Sequence, residues 1–153
     1  MDHFTFDSPL GPISLHGQND HITGVSLGVA HAHSKPTPLL VRAQHQLTEY
    51  LEGGRREFDL PLHFSGTPFQ EAIWSALRKI PYGHTESYQA LGEKAGRGKA
   101  PRAVGGAVGR NPLPIIVPCH RILAADGRIT GYSGGDGIPT KKWLLDREGI
   151  TYR

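Results

Sequence analysis

Residues 87–110 read SYQALGEKAGRGKAPRAVGGAVGR, and this stretch decides the architecture of the chain's second half. Ser87 is a favourable N-cap, and the residues after it predict a helix to about Ala95. Gly96 to Gly98 form a tight basic turn, and Arg102 to Gly109 predict the next helix. Two helices joined by a short glycine-containing turn make a helix-turn-helix. The later helix holds Gly105, Gly106 and Gly109. Each interior glycine costs a helix about 1 kcal/mol against alanine. Either the backbone packs tightly on a neighbouring helix, or something outside the protein approaches it closely. Lys99, Arg102 and Arg110 flank the glycines and favour a nucleic-acid backbone. Small side chains enter a narrow minor groove but cannot read a wide major one.

Upstream, Thr67-Pro68-Phe69-Gln70 offers an N-cap, a proline at the first helical position and a glutamine three residues after the cap. Apolar residues 69, 72, 73, 76, 77 and 80 form one face, and Pro81-Tyr82-Gly83 stops the helix. The N-terminal part reads differently. Phe4–Phe6, Ile13–His16 and Ile22–Leu27 predict short strands separated by turns, an antiparallel meander. Leu39 to Leu51 has helical periodicity, and Gly53-Gly54 ends it. Residues 53–66 read as a linker with one extended piece, Phe58 to Leu62. Downstream, Ile115–Val117 predicts an apolar strand between prolines, and a last helix runs from Pro139 to Glu148 before Gly149. Trp74 and Trp143 are expected in the core, and Tyr82 at a turn. His31 and His33 are expected in a loop. The fold class is α/β (α+β), with an N-terminal unit and linker over 1–66 and a helical unit over 67–153.

The 153 residues contain 20 glycines and 12 prolines, which favours short elements over a helical bundle. No apolar run approaches the roughly 20 residues of a membrane span. The N-terminus has no basic start followed by an apolar stretch, so the expectation is a cytoplasmic protein, or a nuclear one in a eukaryote. Residues 1–66 carry net charge −3 and residues 67–153 net +6. Lys94 to Ala125 holds six basic residues and no acid, which suggests a polyanionic partner. The loop Gly131 to Gly135 lacks the Lys-Ser/Thr ending of a phosphate loop.

Cys119 is the single cysteine, which excludes an internal disulfide and a zinc site built on paired cysteines. It is a buried structural thiol or a reactive one. It follows Ile115–Val117 directly and precedes His120 and Arg121. A basic neighbour is expected to lower the thiol pKa, and the thiolate is the nucleophile. On an extended chain His120 would point away from the sulfur, so a bridging water would carry the proton. A carboxylate must orient the histidine. Glu148, Asp126, Asp136 and Asp146 are all candidates, and spacing does not choose among them.

Pro118-Cys119-His120-Arg121, preceded by Asn111-Pro112 and Ile115-Ile116-Val117, resembles the active-site signature of the O6-alkylguanine-DNA alkyltransferases. Ser87-Tyr88, Arg102 to Gly105, Gly131 to Gly135 and Lys141 to Gly149 follow in the family's order. The resemblance covers residues 67–149 densely and the N-terminal part in architecture only, where it implies a ribonuclease-H-like unit. It implies a single-turnover methylated-DNA–protein-cysteine methyltransferase in which Cys119 takes the alkyl group from guanine O6, with O4-alkylthymine as a second lesion. It further implies His120 as water-linked base, Glu148 as its orienter, Asn111 as brace, and Tyr88 as donor to guanine N3. Ser133 would donate to O6, and the carbonyls of Cys119 and Ile122 would read the exocyclic amine. Pro114, Val108 and Tyr132 would line the pocket. Arg102 would fill the stack left by the flipped base. Ser87, Gln89, Lys99, Ala103, Gly105 and Arg110 would lie against the DNA, with Arg121 pinning the fold instead. Some members hold zinc through N-terminal cysteines that this chain lacks, so no metal and no cofactor are expected. The expected partner is double-stranded DNA, bound through the minor groove by a monomer. Two other readings stay open: a non-catalytic sensor of alkylated DNA and a cysteine hydrolase.

Overall fold

The computed structural model describes residues 1–31 and 36–153. His33 lies outside the described residues. β1 (Asp2–Phe6), β2 (Ile13–Gln18) and β3 (His21–Leu27) form an antiparallel sheet in that order. Ile13, Leu15, Val25 and Leu27 point inward from it. α1 (Pro38–Leu51) covers this face with Leu40, Ala43, Leu47 and Tyr50. The 3.6-residue period of these positions is what lets a helix present one apolar stripe to a sheet. The expected extended piece of the linker is present. Leu62 bridges to Ile22, and Ile22 N donates to Pro61 O at 2.8 Å.

α2 (Pro68–Leu77) begins with the reciprocal cap its sequence predicts. Gln70 N donates to Thr67 Oγ1 at 3.1 Å, and Thr67 N donates to Gln70 Oε1 at 3.0 Å. The helix ends at Leu77, three residues before the expected Ile80. Residues 78–80 continue as tight turns, with Ile80 N donating to Leu77 O, so Ile80 stays buried without being helical. Then come β4 (Glu86–Ser87), α3 (Tyr88–Lys94) and α4 (Pro101–Gly109), the expected helix-turn-helix. β5 (Ile122–Leu123) pairs in parallel with β4, and α5 (Ile138–Arg147) closes the chain. Trp74 is core, its indole N–H donating to Ala107 O at 2.8 Å, while Trp143 packs at the core's edge. Tyr82 caps the end of α5 by donating to Arg147 O.

One continuous apolar core runs from Ile13 on β2 through α1 and α2 to Val117 and Leu144. The N-terminal sheet and the helix-turn-helix therefore share an interior, which fixes their side chains relative to each other. Among the described residues no helix is long and apolar enough to cross a membrane.

Candidate active site

Ile115–Val117 is not a strand. Val117 N donates to Leu113 O, Pro114 bridges to Val117, and Ile115 takes φ 74°. That region costs a β-branched residue on the order of 1–3 kcal/mol, so the surrounding core has to enforce it. Ile115 and Val117 are both buried, and the Asn111 amide closes the turn by donating to Val117 O at 2.8 Å. Apolar composition and flanking prolines suit a buried turn as well as a strand, which is why the sequence misled. The turn delivers the backbone into a single 3-10 turn, Cys119–Arg121, rather than an extended segment.

Cys119 is 5% exposed and lies on the wall of a cavity of about 260 Å³. Tyr88, Gly105, Val108, Gly109, Gly131, Tyr132 and Ser133 complete the lining. Six residues expected at the site therefore converge: Cys119, Tyr88, Gly105, Val108, Tyr132 and Ser133. One expectation needs correction. Pro114 does not line the cavity but sits buried in the preceding turn. The Ile122 carbonyl accepts a hydrogen bond from Lys141 Nζ at 2.6 Å, which leaves its second lone pair open. The Tyr88 hydroxyl lies 2.5 Å from Thr130 Oγ1, and Ser133 Oγ donates to Gly109 O at 2.8 Å.

The thiol's acidity also differs from expectation. Burial pushes the Cys119 pKa up, and the Asn111 side chain, the Lys141 charge and the Tyr132 hydroxyl only oppose that shift. The Tyr132 hydroxyl is buried with no hydrogen-bond partner among the described residues. It is placed to donate to sulfur once the thiolate forms. Lys141 is 1% exposed, and burial lowers its pKa to about 8. The resting cysteine is thus a neutral thiol, and Asn111, Lys141 and Tyr132 offset only part of the cost of its anion.

His120, next to Cys119 in the chain, belongs to a buried hydrogen-bonded cluster. Of the four candidate carboxylates, the structure brings Glu148 to the histidine. His120 Nε2 lies 2.6 Å from Glu148 Oε2 with both side chains fully buried. His120 Nδ1 has no partner among the described residues, and burial keeps the imidazole neutral by lowering its pKa. Burial alone would raise the pKa of Glu148. Hydrogen bonds from His120, Arg121 and the Gly83 N–H reverse this and hold the carboxyl at about 2. Arg121 forks onto both carboxylate oxygens at 2.8 and 3.0 Å and also donates to Ile80 O, so it pins the fold.

Sequence reasoning missed two residues. The sequence places Lys141 in the last helix and in the family-order block but assigns it no role at the site. Tyr50, on α1, donates to Glu148 Oε2 at 2.5 Å. Its spacing from Ala43 and Leu47 is that of a core aromatic, and no sequence signal separates the two roles.

The outer face of α4 carries the basic residues. Arg102, Gly106 and Arg110 are spaced by four and exposed, with Ala103 beside them and Lys99 in the preceding turn. Gln89 is exposed on α3, where Ser87 caps the helix through Ala90 N. A Cβ at Gly106 or Gly109 would meet nothing within 4 Å, and one at Gly105 would reach Tyr88 only at ordinary contact distance, 3.7 Å. The glycines of α4 are not needed for helix packing. The close approach falls instead on Gly92 of α3, where a Cβ would lie 2.5 Å from Gly98 O in the turn and 3.0 Å from Val104 on α4.

His31 packs beside His3 and His16, with ring centroids 6.2 and 5.1 Å away. Among the described residues, no group of three or more potential ligands is placed to hold a metal ion.

Residues 2–64 match the family described as "6-O-methylguanine DNA methyltransferase, ribonuclease-like domain". Residues 68–150 match "6-O-methylguanine DNA methyltransferase, DNA binding domain". The chain is 42% identical over 159 residues to the constitutive methylated-DNA–protein-cysteine methyltransferase of Bacillus subtilis, covering 97% of this chain and 96% of that protein. It is 43% identical over 155 residues to the methyltransferase of Mycobacterium tuberculosis H37Rv, covering 97% and 93%. A crystal structure of the M. tuberculosis protein in complex with DNA superposes with a TM-score of 0.86 at 44% identity, covering 95% of this chain and 91% of that one. A methyltransferase from the archaeon Pyrococcus kodakaraensis superposes at 0.57 with 26% identity, covering 97% and 98%. These relatives favour a methyltransferase over the sensor reading. Two family matches spanning nearly the whole chain, on a fold that puts a lone cysteine in a pocket beside a basic helix, establish that the chain belongs to the O6-methylguanine-DNA methyltransferase family.

Proposed function

We propose that this protein repairs DNA by direct reversal, moving the alkyl group of O6-alkylguanine irreversibly onto Cys119 in a single turnover. The observation that carries the residue assignment is the cavity holding Cys119 together with Tyr88, Val108, Tyr132 and Ser133. A guanine stacked in a duplex cannot present O6 to a buried sulfur, so the nucleotide must be flipped out, against a few kcal/mol of unstacking. Arg102 fills the vacated stack. Ala103, Gly105 and the glycine face of α4 allow approach to the minor groove, while Ser87, Gln89, Lys99 and Arg110 contact the backbone.

The thiol proton leaves Cys119 through a bridging water for the bare Nδ1 of His120. Glu148 stabilises the imidazolium from the Nε2 side, as the third group of a nucleophile–base–orienter arrangement. The thiolate attacks the alkyl carbon, an S–C bond forms and the C–O6 bond breaks. Its electron pair passes into the purine, and Tyr88 donates to N3 as charge develops there. Overall, the thiol proton ends on guanine and the alkyl group on sulfur. The thioether is stable, and the acceptor is the protein itself, so the reaction uses no cofactor and no metal. The hydrolase alternative would have to regenerate the thiol. The division at residue 66/67 separates the N-terminal unit from the part that binds DNA, in line with the two matched ranges. We place the protein in the cytoplasm, working as a monomer.

Incubation with duplex DNA containing O6-methylguanine should add about 14 Da once per chain, mapped to Cys119 by peptide mass spectrometry. Absence of the adduct with retained binding would sink the transferase reading. Arg102→Ala should slow repair of duplex substrate by about tenfold or more, the equivalent of a kcal/mol or two of lost stacking. Reaction with a free O6-alkylguanine base should be unaffected. Equal losses on both substrates would refute the intercalating role.

A further inference from the structure

The His120–Glu148 pair is completed from an element outside the DNA-binding half. Tyr50 lies in the last turn of α1, fully buried, its ring packed 5.5 Å from Phe58 and 6.1 Å from Tyr82. Its hydroxyl donates to Glu148 Oε2 at 2.5 Å and lies 3.3 Å from His120 Nε2. Glu148 then accepts from Tyr50, His120, Gly83 N and twice from Arg121. Such saturation is what a buried carboxylate requires.

The proton count decides what the tyrosine does. Burial and the Glu148 charge both push the Tyr50 hydroxyl toward its protonated form. Its single proton is committed to the carboxylate, so its oxygen can only accept in the 3.3 Å contact. The donor there is His120 Nε2–H. The imidazole N–H is then shared between two acceptors on one side, and the lone pair sits on Nδ1. A histidine whose tautomer is set by the partners of one nitrogen has its reactivity defined at the other.

We propose that Tyr50 is a positioning residue for alkyl transfer, its hydroxyl locking His120 in the Nε2–H form that leaves Nδ1 free to take the thiol proton. This rests on the reading of Cys119 and His120 as nucleophile and base. It gives the N-terminal unit a part in the chemistry, since α1 is held on the sheet by Leu40 and Leu47 and carries the hydroxyl to the His120–Glu148 pair.

Tyr50→Phe in the full chain keeps the ring and removes only the hydroxyl. The single-turnover rate of methyl transfer from an O6-methylguanine duplex should fall about tenfold, the equivalent of one hydrogen bond to a charged group. Affinity for the same duplex should not change. ¹⁵N NMR should show a single Nε2–H tautomer for His120 in the native protein and a tautomer mixture in the variant. A native rate with a native ¹⁵N pattern overturns the proposal. So does a parallel loss of rate and duplex affinity, which would make Tyr50 a structural residue. If the native protein itself forms no Cys119 adduct, the underlying reading has failed. If it does and Tyr50→Phe matches it, only the role of Tyr50 has failed.

Discussion

Cys119→Ala removes methyl transfer completely while leaving duplex binding intact. The loss should be total because no other thiol exists in the chain, and no hydroxyl replaces a thiolate in displacement at an alkyl carbon. The fold should tolerate the change. Cys119 behaves as a small buried apolar side chain, and trimming one heavy atom from such a site typically costs about 1 kcal/mol. Arg102, Gly106 and Arg110 lie on the exposed side of α4, away from the buried sulfur. Duplex affinity measured by gel shift should therefore stay near native, while intact-mass measurement after prolonged incubation shows no adduct. A methyl group found anywhere on the variant would contradict Cys119 as sole acceptor. Because burial raises the thiol pKa, a small general alkylating reagent should label native Cys119 slowly at neutral pH and faster as pH rises. On the proposed mechanism, His120 serves the same end, taking the thiol proton inside the pocket.

Much of this was legible in the sequence because it rests on local signals. The Thr67–Gln70 capping box, the periodicity of α1 and the glycine turn between α3 and α4 each state their structure within a few residues. The cysteine and its histidine are adjacent. What the sequence hid depends on contacts between distant residues. Glu148 could not be told from three aspartates, because only the packing of α5 against the 3-10 turn brings one carboxylate to His120. Ile115–Val117 read as a strand, because an apolar run between prolines does not reveal a positive φ at its first residue. Tyr50 lies 70 residues from His120 and looked like core. The sign of the Cys119 shift was wrong because adjacency in sequence suggested electrostatic help, whereas full burial is the larger effect.

The largest stability effect should come from Arg121, which does not line the Cys119 cavity. The residue is 5% exposed, and its guanidinium forks onto both oxygens of Glu148 and donates to Ile80 O at 2.6 Å. In Arg121→Ala the carboxylate stays buried while its only permanent cationic partner among the described residues is gone. Breaking one side of a buried pair in this way costs about 3–5 kcal/mol, a large part of the roughly 5–15 kcal/mol that holds a domain together. Lysine should rescue little, since it cannot reproduce two parallel bonds from a planar fork. The pH dependence identifies the cause. Glu148 is held at about 2 against an ordinary value of 4.5, so it stabilises the fold above about pH 4.5 and loses that contribution as pH falls toward 2. Without Arg121 the shift shrinks, and the stability gap between native and variant should narrow as pH falls through that window. Urea unfolding at pH 7 and at pH 3.5 measures both gaps. A gap below about 1 kcal/mol at pH 7, or one that does not change with pH, would show that the fork contributes no more than a surface ion pair, which is typically worth about 0–1 kcal/mol.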